Sequence, residues 1–138
     1  MLTSGLSNFD NESATNFISD IAMNGYGMLT IALDRINDSE ERPGLIECEE
    51  ALIAAELIAA AVGSPAHDLP EDAREWILTF LPEGSAEHQE VSNLSDKAAD
   101  VIDTIVTDSE IRDLWEGNPD FSEWFDLQVD LQKRILGE

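Results

Sequence analysis

Apolar residues recur along this chain at steps of three and four, the spacing that lays them on one face of an α-helix. The first such stripe, Ala14, Phe17, Ile18 and Ile21, predicts a helix to about Met23 that Asp10 or Asn11 can cap and that Gly25 and Gly27 break. A second, Leu29, Ala32, Leu33 and Ile36, predicts a helix over about Tyr26 to Asp38, closed by the polar run Asn37 to Arg42. Pro43 fits a first helical turn, so the next helix is expected to run from there to Val62, with Gly63 as its stop. Its Ala51, Leu52, Ala54, Ala55, Leu57, Ile58, Ala59 and Ala61 cover far more than one stripe, which predicts the central helix of the fold. Glu47, Glu49, Glu50 and Glu56 are expected to mark its least covered side.

Asp68 and Glu71 have capping-box spacing ahead of a short helix with Ala73, Trp76, Ile77 and Phe80, ended by Pro82 and Gly84. The stretch Glu83 to Asn93 is nearly devoid of apolar residues and reads as the longest exposed loop. After it comes the cleanest amphipathic segment, with Leu94, Ala98, Val101, Ile102 and Ile105 on one side and Asp96, Asp100 and Asp103 on the other. Thr107 and Glu110 suggest a capped short helix to Trp115, and Asn118 with Pro119 a last one through Phe121, Trp124, Phe125, Gln128, Leu131 and Ile135 to Gly137. No period-two run demands a strand. The fold class expected is therefore all-α: one compact bundle, residues 1–138, of about six or seven helices around a central Ala-rich helix.

Composition changes the picture in one respect. Thirty Asp and Glu against seven Lys and Arg give a formal net charge of -23 and a pI near 4.1. With 43% hydrophobic residues the chain still has the makings of a core, so this is an acidic folded protein and not a charged disordered tail. Such a field repels nucleic acid and anionic lipid and attracts cationic protein surfaces. Cys48 stands alone, which excludes an internal disulfide and a Cys-rich zinc site. Residues Met1 to Phe9 carry neither a basic n-region nor an apolar h-region, and Ala51 to Val62 is short and interrupted by Glu56. The expectation is a soluble, cytoplasmic chain.

Candidate chemistry is sparse. His67 and His88 lie about twenty residues apart with no helical His partner, so neither suggests a metal site. The run Asp34, Asn37, Asp38, Glu40 and Glu41 lacks the alternating Asp spacing, mid-loop glycine and terminal Glu of an EF-hand loop. There is no G-x-S-x-G, glycine-rich phosphate loop or C-x-x-C. Trp76, Trp115 and Trp124 fall at helical spacing among apolar neighbours and read as core anchors, and Cys48 as a small buried hydrophobe. No catalytic residue, metal or cofactor is expected.

Several stretches form a pattern. Gly5, Phe9, Asp10, Asn11, Glu12 and Ala14 come first, followed by Glu49, Glu50, Ala51, Leu52, Ala54, Ala55, Ile58 and Ala59. Ser109, Glu110, Arg112, Leu114, Trp115 and Glu116 come next, and Trp124, Leu127 and Leu131 close the series. In this order the chain resembles the small bacterial proteins of domain of unknown function family 4259, with Ser4 and Ser7 where that family usually carries a Trp and a second Gly. The resemblance implies a compact acidic helical domain and supplies no catalytic residues.

Two classes of function follow. In the first, the protein is a non-enzymatic interaction domain whose acidic face binds a basic protein partner, a toxin or a nucleic-acid-binding protein, as an immunity-type inhibitor or nucleic-acid mimic would. The expected binding face is Asp96, Asp100 and Asp103 together with Glu87 and Glu90, with no nucleic acid and no membrane as partner. In the second, the chain is a small hydrolase or ligand-binding domain whose acidity reflects a salt-adapted host. Oligomeric state is left open by the sequence.

Overall fold

The computed structural model describes residues 7–137, so Ser4 and Gly5 of the N-terminal pattern lie outside the described residues. Eight helices follow in order: α1 (Glu12–Asn24), α2 (Gly27–Asn37), α3 (Leu45–Ala61), α4 (Glu71–Phe80), α5 (Ala86–Ser92), α6 (Ser95–Thr107), α7 (Glu110–Glu116) and α8 (Phe121–Leu136). Among the described residues there is no strand, and the expected all-α bundle is what forms. No helix there is long and apolar enough to cross a membrane.

The Ala-rich helix is the axis of the molecule. Every residue from Ala51 to Ala59 is buried, and each of the other seven helices packs against α3. Alanine at positions 51, 54, 55 and 59 makes this possible, because a methyl side chain lets a neighbouring backbone come close on every side of the axis. Larger side chains fill the space between the outer helices: Phe17 and Ile21 from α1, Leu29 and Leu33 from α2, Ile102 and Ile105 from α6, Leu131 from α8. The three tryptophans anchor this core as expected. Trp124 is 1% exposed, stacks on Trp115 at 6.4 Å between ring centroids, and is flanked by Phe121 at 6.0 Å.

Local chemistry sets the helix ends, in several places not where the residue pattern suggested. Asn11 does cap α1, accepting the Ala14 N–H at 2.7 Å, and Gly25 (φ 90°) supplies the turn out of it. Pro43 does not open α3; the helix starts at Leu45, and Pro43 instead offers its carbonyl to the Glu110 N–H at 3.0 Å. Asp68 does not cap α4, which begins after Pro70. The cap of α7 is Ser109 and not Thr107, which closes α6. Ser109 is fully buried because its hydroxyl serves two helix ends, accepting from the Arg112 N–H at 3.1 Å and donating to the Ile105 carbonyl at 2.6 Å. Asn118 and Pro119 lie before α8, and the Asn118 side chain accepts from the Asp120 N–H.

The larger correction concerns Glu83 to Asn93. Within this supposed loop lies α5, whose N-terminus is capped by Ser85 accepting the His88 N–H, and whose Val91 is fully buried. Two apolar residues in seven, Ala86 and Val91, five apart, leave no helical period to read, so only the tertiary contact of Val91 reveals the helix.

Candidate functional site

The acidic face predicted on α6 is present as a surface. Ala98, Val101, Ile102 and Ile105 turn into the core, and the helical period therefore carries Asp96, Asp100 and Asp103 outward, where all three are exposed. None of them takes part in an ion pair among the described residues. Near Asp103 the surface becomes a shallow groove of about 530 Å³, lined also by Glu40, Glu41 and Asp108, with Arg42 as its one cation. Arg42 is committed within the fold: it bonds to Asp108 at 2.6 Å, to the carbonyl of Ser109 at 3.1 Å, and to Asp113. These bonds tie the segment before α3 to the α6–α7 junction and leave the carboxylates of Glu40, Glu41 and Asp103 facing water.

Glu87 and Glu90 are exposed as well, on α5 and not on α6. Both stand on α5, and Glu90 accepts a hydrogen bond from the Tyr26 hydroxyl at 2.5 Å. Donating to that carboxylate holds the phenol above its ordinary pKa. Glu87 borders a groove between the C-terminal ends of α1 and α4. Among the described residues, no hydrogen bond or ion pair links either glutamate to the α6 aspartates. The five candidate carboxylates are divided between two helices, with Glu87 lining one groove and Asp103 the other.

The side of α3 marked by Glu47, Glu49, Glu50 and Glu56 is not an acidic face. Glu56 is 2% exposed and Glu49 is also buried, while Glu50 is bound to Arg35 at 2.9 Å. Only Glu47, in the first turn of α3, is exposed; farther along, the helix is packed on every side and has no wet side to offer. Glu49 accepts from the Ser13 hydroxyl at 3.0 Å. Glu56 accepts from the Asn8 side-chain amide at 2.9 Å and from Arg134 at 3.1 Å, and Asn8 in turn exchanges bonds with the fully buried Gln128. Arg134 is anchored further by Asp130 and by the Ser64 carbonyl. Burial pushes the Glu56 carboxyl above its ordinary pKa, with Arg134 and Asn8 opposing and Asp68 adding to the rise.

Glu56 and Arg134 also floor a cleft of about 370 Å³ rimmed by Ser7, His67, Asp68 and Asp130. A raised carboxyl beside a histidine has the ingredients of acid–base chemistry. Each oxygen of Glu56 accepts a hydrogen bond from within the fold, one from Asn8 and one from Arg134, and no hydrogen bond joins Glu56 to His67 among the described residues. The remaining candidates are equally occupied. His88 turns inward and its Nε2 bonds to the Ala61 carbonyl at 2.7 Å. Cys48 is fully buried, and burial pushes its thiol up to about 12. Of the acidic run after α2, Asp34 is bound to Lys97 at 2.7 Å. Among the described residues, no group of three His, Cys, Asp or Glu side chains is placed to hold a metal ion.

Comparison with known proteins gives one match. The family described as Domain of unknown function (DUF4259) matches over residues 3–126. No curated protein and no solved structure matches the chain.

Proposed function

The chain belongs to this DUF4259 family, and from that premise we propose that it is a non-enzymatic interaction domain whose acidic surface binds a basic bacterial protein. The most concrete form of the proposal is an immunity-type inhibitor or nucleic-acid mimic that covers the cationic cleft of a toxin or of a nucleic-acid-binding protein. One observation carries it, the internal use of the cations. Five of the seven Lys and Arg residues, Arg35, Arg42, Lys97, Arg112 and Arg134, are held in intramolecular ion pairs, which among the described residues engage only seven side-chain carboxylates of the chain's thirty Asp and Glu. Four of these cations, Arg35, Arg42, Lys97 and Arg134, are thereby used to tie separate parts of the chain together, Arg112 pairs within α7, and the exposed carboxylates of Asp96, Asp100 and Asp103 face solvent with no ion-pair partner among the described residues. A surface of this kind steers a cationic partner from beyond contact distance and accelerates encounter.

The test is co-purification from the native host at about 0.05 M and about 0.3 M salt, concentrations that bracket the range over which surface charge is screened. The expected result is a basic protein retained at the lower concentration, with an association rate that falls steeply as salt is raised. A partner whose surface is neutral or acidic, or an association rate independent of salt, overturns the reading.

A further inference from the structure

The groove beside Glu87 differs from the rest of the surface. Its volume is about 520 Å³, inside the ~300–1,000 Å³ range of clefts that hold a ligand, and its walls are mostly apolar, with Asn24, Thr79 and Glu87 as the polar lining. Met23, the last apolar residue of α1, is 86% exposed on one side. Phe80, at the end of α4, is 53% exposed on the other and lies against Trp76, 6.2 Å away between ring centroids. Large apolar side chains left this open beside one another mark a surface that something else covers.

Charge decides what that is. The groove is lined from two stretches of chain, residues 21–26 and 76–87, and neither contains a Lys or Arg. Glu87 lines it, and Glu90 stands at its edge, held there by the Tyr26 hydroxyl. Asp20, next to the first stretch, and Glu83, within the second, are both exposed. An anionic or neutral apolar segment gains nothing from such an edge, and a lipid surface of negative charge is repelled by it. A cationic one gains twice.

We propose that this groove docks a short basic segment of a partner protein in which an apolar side chain, Leu or Phe, is bracketed by Lys or Arg. The apolar side chain enters between Met23 and Phe80, and the flanking cations meet Glu87 and Glu90. This rests on the reading that the protein binds a basic partner and adds to it a second, apolar determinant. It assigns the two acidic edges different tasks: the α6 edge attracts at a distance, whereas the α5 edge frames an anchor and selects among basic sequences.

The experiment titrates the full chain with two synthetic peptides of equal positive charge, one with Leu at helical spacing among Lys residues and one with each Leu replaced by Ser. Binding is followed by anisotropy and by backbone amide shifts. The Leu peptide is expected to bind at least about tenfold tighter, a factor that partial burial of a single Leu can supply, and to shift the amides of residues 21–26 and 76–90. Met23→Ser with Phe80→Ser should abolish the difference and leave the Ser peptide unaffected. Both residues are exposed, and Met23→Ser alone, the more exposed of the two, carries the test if the double variant fails to fold. Glu87→Gln with Glu90→Gln should weaken the Leu peptide. Equal affinity of the two peptides, with shifts on α6 only, overturns the groove and leaves the acidic reading standing. No binding of either peptide at low salt overturns both.

Discussion

Asn8 and Gln128, 120 residues apart, exchange two amide hydrogen bonds of 2.9 and 2.8 Å in the buried interior, and Asn8 passes a third to Glu56. An amide pair satisfies both of its donor and acceptor sides at once, and here it joins the segment before α1 to the middle of α8. The same cluster takes in the ion pair between Arg134 and Glu56, so α3 and α8 are joined by charge as well as by packing. Glu56, the most deeply buried carboxylate among the described residues, is thereby a fastening between the segment before α1 and α8.

That cluster should be cooperative. Gln128→Leu leaves the Asn8 oxygen without its donor, and Asn8→Ala removes a partner from both Gln128 and Glu56. Each change is expected to lower the unfolding free energy by ~1–3 kcal/mol, since an orphaned buried polar group costs its desolvation. The double variant should cost clearly less than the sum, because it removes donor and acceptor together. Urea unfolding of the four proteins measures this, and strict additivity would show that the amide pair contributes nothing as a unit.

Acidification should stabilise the protein. The Glu56 carboxyl titrates near 4.5 when unfolded and higher when folded, so on lowering the pH the folded chain takes up its proton first. Stability therefore rises as pH falls through the folded value and levels off once pH reaches the unfolded one. Relief of repulsion at a net charge of -23 acts in the same direction. Tm is expected to climb from about pH 7 to about pH 5, by less in Glu56→Gln, and also to climb on adding salt to ~0.5 M, which shortens the screening length to a few ångströms. A Tm that falls steadily with salt would mean that specific ion pairs outweigh the repulsion.

Core positions read from periodicity alone can be tested by truncation. Ile58 and Trp124 are 0% and 1% exposed, and each lies where α3 or α8 meets its neighbours. Replacing Ile58 by Ala should cost ~2–5 kcal/mol and Trp124 by Ala ~3–5 kcal/mol, the sum of lost burial and the cavity left behind. Denaturation midpoints unchanged from the parent would mean that neither side chain fills the core.

The elements of this fold were legible because most of its helices carry a regular apolar stripe. In α6, the placement of Ala98, Val101, Ile102 and Ile105 inward fixed the exposure of Asp96, Asp100 and Asp103 before any coordinates. What the pattern could not give was any feature made by residues distant in sequence. Glu56 read as a surface charge because its partners, Asn8, Gln128 and Arg134, come from the far ends of the chain. A signal was nonetheless available: a helix apolar all around has no solvated side, and a lone Glu within Ala51 to Ala61 therefore had to be buried and paired. The groove between Met23 and Phe80 had no comparable signal, since an apolar residue at a helix end looks the same whether it is covered or not.

The α6 edge supplies the decisive variant. Changing Asp96, Asp100 and Asp103 to Asn removes three charges from exposed positions that make no ion pair, so the fold should be untouched and the circular dichroism spectrum unchanged. Charges at the rim of an interface act chiefly on encounter, whereas contacts buried within it act on dissociation. With the basic partner in hand, the triple variant should associate about tenfold more slowly or worse at low salt, with a shallower salt dependence and a dissociation rate close to that of the parent. Stopped-flow association across a salt series separates these quantities. An unchanged rate would reduce α6 to a solvated helix back. The α3 glutamates offer no acidic face in its place, since Glu49 and Glu56 are buried, Glu50 is paired with Arg35 and only Glu47 is exposed, and recognition would then fall to Glu87 and Glu90 on the α5 edge.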